Sequence, residues 1–293
     1  MNNLLQTLIF GLLIGGVYAL MSTGLTLVFG VMKIVNMAQG AFLILGAYLS
    51  YSLWKFAGID PMIGAFIFAP IMAGLGVVLY KAVIERAQRI DPGLAIVATF
   101  ALALILESVT ALIWGPSPVS ATPSYFNEAF TVGTLVIPKA QLYACILALA
   151  ITIGLTVLIR LSWLGRAITA AAENPEGARF VGVDPAKVGT WIFAIAVGTT
   201  SFGGAALSFL FQFVPDTQDS WIGLTLSVVI LGGLGSIPGV VAGGVVLGLA
   251  EALTSTYISI QWTTAVPLIL ILLVLMIRPQ GLLAFRTRED VGS

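Results

Sequence analysis

The chain has 293 residues, of which 59% are hydrophobic and 9% charged, and its mean hydropathy is +1.06. A soluble domain carries about 25% charged residues, so this composition belongs in a bilayer. Thirteen basic residues balance thirteen acidic ones, and that neutrality excludes nucleic acid as a partner on electrostatic grounds.

A helix needs about 20 mostly apolar residues to cross the hydrocarbon core. The first such stretch is 4–32. Its start, MNNLLQTLIF, has no Lys or Arg before Lys33 and so lacks the basic opening of a secretory signal. It reads as part of the span. The segment GLTLVFGVMKIVNMAQG at 24–40 follows, where Lys33, Asn36 and Gln39 interrupt the apolar run. Further spans are expected at 36–57, 62–80 and 93–114. The last carries Glu107, one of two acids well inside a span. Residues 115–138, with Pro116, Pro118, Pro123 and Pro138, form a solvated connection that either caps the outer mouth or is an ordinary irregular loop. The span 139–160 holds the single cysteine, Cys145, which cannot form an internal disulfide.

Between this span and the next, at 187–214, lies SWLGRAITAAAENPEGARFVGVDP, residues 162–185. Joining two spans takes only about 2–6 residues. Gly165, Arg166, Glu173, Asn174, Pro175, Glu176, Arg179 and Asp184 make the segment wet, while its alanines and Phe180 can press on another protein. Asn174 is placed to cap a helix that begins at Pro175 with acidic Glu176 in its first turn. Asp184 and Pro185 repeat the device for the following span.

The glycine-rich region 223–257 is too long for one crossing and is broken at GGLGSIPG, residues 232–239. It is two short spans, 223–236 and 238–257, or one span with a re-entrant piece, and it carries the second intramembrane acid, Glu251. GLTL occurs at 24–27 and again at 223–226, and the same offset aligns Gly40 with Gly239. Glycine-interrupted spans at corresponding places mark broken helices around a translocation site. Plain helix packing explains them too: Gly235, Gly239 and Gly243, and likewise Gly244 and Gly248, recur every four residues and permit close approach. An ionisable group inside a span is a functional candidate by default. Glu107 and Glu251 are therefore either path residues or structurally hydrogen-bonded ones. A last span is expected at 262–278.

With the 81–92 loop placed in the cytoplasm, eleven of the thirteen basic residues fall inside, and only Lys55 and Lys139 lie outside. This positive-inside pattern puts the N-terminus outside, and 162–185 and the tail with Arg278, Arg286 and Arg288 inside. An inside tail requires an odd number, nine. The expected fold is an all-α polytopic membrane protein of eight or nine spans, some broken at glycine, forming a single transmembrane domain over 1–293.

Several chemistries lack their residues. There is no histidine, so His-based acid–base work and His-metal sites are excluded. None of the five lysines follows a glycine, so the chain has no phosphate-binding GxxxxGK[ST] loop. A GxSxG elbow and an intramembrane aspartate pair are missing too. The expectation is a non-enzyme that binds no metal and no cofactor of its own.

The residues GGVYALMSTGLTLVFGVMKIVNMAQGAFLILG (Gly16–Gly46), the segment Gly165–Pro185, the run LGGLGSIPG (Leu231–Gly239) and the ending Arg278-Pro279-Gln280-Gly281-Leu282 resemble the permease subunits of branched-chain amino acid ABC importers, in one broad superfamily with ribose-type and urea-type permeases. The resemblance implies that Gly165–Gly182 is a coupling segment seated on an ATPase, with Gly165, Arg166, Ala171, Glu173, Asn174, Pro175, Ala178 and Gly182 as its contacts. It implies two ATPase subunits that use ATP, a second homologous permease and an extracytoplasmic binding protein. Members often read N-[FM]-A-H-G-[ED] where this chain has Asn36-Met37-Ala38-Gln39-Gly40-Ala41, so both the histidine and the acid are missing.

The reading that follows is a multi-pass permease of the bacterial cytoplasmic membrane that imports branched-chain or other small hydrophobic amino acids. Its path runs beside Asn36, Gln39, Gly40, Gly235 and Gly239, with Asn36 and Gln39 exposed to it and Glu107 and Glu251 as further candidates. The alternatives are a permease for urea or short amides, and a gradient-driven carrier using Glu107 or Glu251.

Overall fold

The computed structural model describes residues 2–278 and 280–283. In chain order the helices are α1 (Asn2–Met32), α2 (Gln39–Ala57), α3 (Pro61–Leu79), α4 (Glu85–Ile90), α5 (Pro92–Trp114), α6 (Lys139–Leu161), α7 (Trp163–Glu173), α8 (Pro175–Phe180), α9 (Pro185–Leu210), α10 (Gln218–Gly232), α11 (Ile237–Tyr257) and α12 (Val266–Ile277). A π-helical turn, Tyr80–Ile84, fuses α3 to α4. The starts are strongly signalled. Asp60, Asp91, Asn174 and Asp184 each accept a hydrogen bond from the first turn of the helix they open, and each precedes a proline. The side chain satisfies one orphan N–H, and proline removes another donor that had no partner.

Seven of these rods are long and apolar enough to cross a membrane. The predicted spans 36–57 and 223–236 correspond to two that fall short, α2 because Gln39, Lys55 and its serines and tyrosines make its 19 residues too polar, and α10 because it has only 15. α9 is the central post: 94% of its most apolar 18-residue stretch is buried, against 11% for the rod that ends in α12. α1 and α11 meet at glycines, where a Cβ on Gly15 would lie 2.8 Å from Val245 Cα. Without a hydrophobic driving force in lipid, such close approach supplies the van der Waals contact that holds helices together.

The region 223–257 resolves into an antiparallel hairpin, α10 turning into α11 at 233–236. A Cβ on Gly243 would meet the Val228 carbonyl, and one on Gly239 the Gly232 carbonyl. The chain therefore reverses direction there. Contacts between connections agree with that course. Leu282 and Leu283 donate to the carbonyls of Leu231 and Gly232, bringing the tail to the 233–236 turn. On the opposite side Val119 and Phe213 exchange backbone hydrogen bonds, Ala121 donates to Ser208, and Gln6 donates to the Val136 carbonyl.

The 115–138 connection is more ordered than an irregular loop. It contains an antiparallel hairpin, β1 (Ala129–Val132) with β2 (Leu135–Pro138), in which Val132 faces Leu135 across a turn at Gly133.

The 199 positions that separate Gly24 from Gly223 also relate the two breaks. Shifted by that amount, the end of α1 at Met32 falls one residue before the end of α10. The start of α2 at Gln39 falls one residue after the start of α11, and the cap at Asp60 falls on the cap at Ser259. The sequence repeat is thus a repeat of helix–break–helix units.

Single cysteines in a Cys145→Ser background test the course. Positions 86, 176 and 283 are expected to react with an impermeant maleimide only after the membrane is opened, and position 127 in intact cells. Reaction of 86 and 176 from opposite sides would refute it. Arg286 and Arg288 lie outside the described residues.

Candidate functional site

At the first break α1 stops at Met32 and Lys33 takes a left-handed conformation, φ 55°. A non-glycine residue there is uncommon. The chain then runs back into the bundle instead of closing a tight hairpin. Asn36 Oδ1 accepts from the Ala38 N–H at 3.2 Å, and Met37 N–H donates to Thr99 Oγ1 of α5 at 3.1 Å. Gln39, the first residue of α2, donates from Nε2 to the Met21 carbonyl at 3.1 Å. Met21 precedes the end of α1 by about three helical turns, so α2 begins deep inside the bundle.

There it meets α10. A Cβ on Gly40 would strike the Gln218 carbonyl, so the first turns of α2 and α10 touch backbone to backbone. Gln218 is buried and donates from Nε2 to Glu107 Oε2 of α5 at 2.6 Å. A half-buried carboxylate thus sits beside two helix N-termini, where the partial positive ends of the helix dipoles favour negative charge. Glu107 and Gly40, chosen separately from the sequence, belong to one constellation completed by Gln218. Nothing in the spacing could announce a pair 111 residues apart.

Two expectations are corrected here. Asn36 and Gln39 are not exposed to a path. Both have 0% of their surface accessible, and Asn36 Nδ2 and Gln39 Oε1 have no hydrogen-bond partner among the described residues. Stranding such groups costs about 1–3 kcal/mol each, so the joint is tightly packed yet incompletely satisfied. Glu251 lies apart from the constellation, between α1 and α11, where it accepts from the Tyr18 hydroxyl at 2.7 Å. The sequence reading did not pick out Tyr18 as its partner. The second break reaches the first through Gly235, whose Cα lies against Gly30 near the end of α1, while Gly239 is used in the α10–α11 hairpin. Both glycine faces of α11 are packing faces. Gly239 and Gly243 serve α10, and Gly244 and Gly248 serve α1.

The 162–185 segment forms two helices where one short helix was expected. Ser162 caps α7 through Gly165 N–H, and Asn174 caps α8 through Gly177 N–H at 2.8 Å. Gly182, φ 80°, ends α8, and Val183 N–H returns to the Ala178 carbonyl. The residues expected to touch an ATPase divide by burial. Arg166, Glu173, Asn174, Pro175 and Gly182 are exposed. Gly165, Ala171 and Ala178 are not: Ala171 packs into the chain's own core, Ala178 is 3% accessible, and Gly165 abuts the Ile159 backbone. The amphipathic helix turns its alanines inward. What the segment presents outward at the end of α8 is Phe180, 92% exposed, beside Val181.

The comparisons with known proteins agree with this architecture. The family model described as branched-chain amino acid transport system / permease component matches residues 7–275. The chain is 30% identical over 305 aligned positions to the high-affinity branched-chain amino acid transport system permease protein LivH of Salmonella typhimurium, covering 98% of this chain and 97% of the relative. BraD of Pseudomonas aeruginosa, with the same description, is 27% identical and covers 98% of each. A probable branched-chain amino acid transport permease protein LivH of Methanocaldococcus jannaschii is 28% identical, covering 90% of this chain and 87% of that one. The chain belongs to the branched-chain amino acid transport permease family. As a member of that family with seven rods able to cross a bilayer on their own, it is a multi-pass inner-membrane protein.

Proposed function

We propose that the chain is the transmembrane permease subunit of an ATP-driven importer, one domain over its whole length. Its cargo is branched-chain or other small hydrophobic amino acids. The observation that carries the reading is the doubly capped α7–α8 segment with Phe180 and Val181 uncovered, in a chain without a phosphate-binding loop. A large bare aromatic beside charged residues suits a partner's pocket. Two ATPase subunits, a second homologous permease and an extracytoplasmic binding protein complete the assembly in this reading, and the chain itself catalyses no reaction.

The path runs between the N-terminal turns of α2 and α10, which are closed here. When they part, Glu107 and Gln218 become available to an ammonium group, and the freed N–H groups of both helix starts to a carboxylate. Freed backbone at this depth is tolerated where it lines a cavity. Weak, divided contacts let cargo leave as readily as it enters.

Reconstitution tests the reading. Vesicles holding the chain with its ATPases and second permease, supplied with loaded binding protein, are expected to accumulate leucine only with ATP inside, unaffected by proton or sodium ionophores. Uptake by the purified chain alone down an ion gradient would refute the reading, and preference for urea over leucine would refute the cargo.

A further inference from the structure

The three segments of chain that meet at Glu107 meet a second time nearer the outside. At the lower meeting Gly40 of α2 lies against the Gln218 carbonyl, and Gln218 donates to Glu107 of α5 at 2.6 Å. Tyr48 follows Gly40 by eight residues and Trp114 follows Glu107 by seven. On helices that both run outward, each stands about 10–12 Å above the constellation. Phe213 precedes Gln218 by five residues, in the connection from α9 to α10. The three rings close on one another: Tyr48 stacks on Trp114 with centroids 4.9 Å apart, and Phe213 meets Tyr48 edge-on at 4.8 Å. Tyr48 is 0% accessible and Phe213 1%. The outer connection lies over them, since Val119 and Phe213 exchange backbone hydrogen bonds. A solute that reaches Glu107 from outside along this line has to part the rings.

Packing alone would be served by an apolar cluster, and Tyr48 is not apolar. Its hydroxyl has no hydrogen-bond partner among the described residues, although a buried tyrosine usually finds one. Tyr18, Tyr80 and Tyr125 each reach a side-chain acceptor. Trp114 is satisfied too, donating from Nε1 to Ser52 Oγ at 2.7 Å. The charge around the cluster is of one sign. A 3₁₀ turn at Pro215–Thr217 touches both α2 and α5 and carries Asp216 at the surface, with Asp219 exposed just after it and Glu107 below. Lys55, the base on α2, stands two turns farther out, over the rings of Tyr51 and Phe56. Such a setting draws in a cation and repels a carboxylate. Aromatic faces attract an ammonium group, and a phenol oxygen can accept a hydrogen bond from it.

We propose that Tyr48, Trp114 and Phe213 are the outer gate of the path, and that Tyr48 determines specificity there, its ring and hydroxyl receiving the ammonium group of the incoming amino acid. The distance from Tyr48 to Glu107 is longer than one such molecule, so the two residues take the ammonium in succession. The aliphatic side chain packs on the parted rings meanwhile. The gate rests on the importer reading and deepens it by naming what selects the cargo.

Vesicles holding the complete complex, with ATP inside and leucine-loaded binding protein outside, are assayed for uptake per intact complex, and ATP hydrolysis and melting temperature are measured alongside. Tyr48→Phe keeps the ring and removes an oxygen that has no partner in the closed state. Its melting temperature is expected to equal or exceed that of the wild type, and hydrolysis stimulated by loaded binding protein to persist. Leucine uptake is expected to fall at least about tenfold, the loss of one hydrogen bond to a charged group. Tyr48→Leu, which loses the ring as well, is expected to fall further. In a Cys145→Ser background, Tyr48→Cys is expected to react with a small impermeant thiosulfonate from outside only while the complex is cycling. Wild-type uptake by Tyr48→Phe overturns the assignment. So does a loss of uptake matched by an equal loss of intact complex, which makes Tyr48 a packing residue. Labelling at position 48 that ignores cycling overturns the gate. A wild-type complex that imports no leucine with ATP inside sinks the importer reading, and the gate with it.

Discussion

Leucine at position 244 is expected to abolish accumulation of the folded protein, while leucine at position 74, 154 or 223 leaves it near the wild-type amount. Gly244 faces the backbone of α1, where a Cβ would meet the Gly15 carbonyl at 2.5 Å and the Ala19 N at 2.9 Å. Neither obstacle is a side chain that can swing away. Overpacking a side chain costs about 1–3 kcal/mol. Forcing two backbones apart costs more, because every contact along the seam is lost together. Among the described residues, no atom outside their own helix backbone lies within 4 Å of a Cβ added to Gly74, Gly154 or Gly223, so they serve as controls for the substitution itself. Gly239→Leu is expected to behave like Gly244→Leu, since its obstacle is the Gly232 backbone of the α10–α11 hairpin. Gly40→Leu pushes against Gln218 where the path is proposed. Uptake and the amount of intact complex are measured together. Normal accumulation of Gly244→Leu would mean that the α1–α11 seam is not as close as described.

The second large effect separates coupling from folding. Phe180→Asp is expected to leave the permease folded and inserted but to cut ATP-driven uptake and ATPase retention at least about tenfold, since truncating a buried interface aromatic typically costs about 2 kcal/mol or more. In the free chain Phe180 is 92% exposed, so the substitution removes nothing from the fold. Ala171→Glu and Ala178→Glu are expected to fail differently, by destabilising the segment itself. Both alanines are under 5% accessible, and an unpaired carboxylate buried there costs several kcal/mol. Proteolysis of the 162–185 segment in the assembled and unassembled permease tells the two failures apart. Full ATPase retention by Phe180→Asp would show that the partner grips another surface.

Much of this organisation is legible in the chain. Helix starts at Asp60, Asp91, Asn174 and Asp184 are written locally, because a cap needs only its own residue and the next three. The rods themselves follow from apolar length, since lipid forces each spanning backbone to satisfy its hydrogen bonds internally. Which face of a rod is covered is a different matter. The composition of α7 marks alanine as a docking surface, yet the alanines turn inward, because small residues on an amphipathic helix suit close packing on the chain's own core equally well.

The site at the broken helices divides along the same line. Sequence alone singled out Glu107, Asn36, Gln39 and Gly40 as polar or flexible interruptions in apolar runs, and the repeated GLTL joined the two breaks. It could not say that Glu107 is held by Gln218, that Glu251 is held by Tyr18, or that Asn36 and Gln39 are sealed from solvent. Those facts depend on which helices meet, at what depth and with which faces. Local chemistry determined the rods, their caps and the places where they break, because those are short-range properties of the backbone. Only the tertiary structure decided which polar groups become partners, because residues from separate rods meet only once the rods have packed.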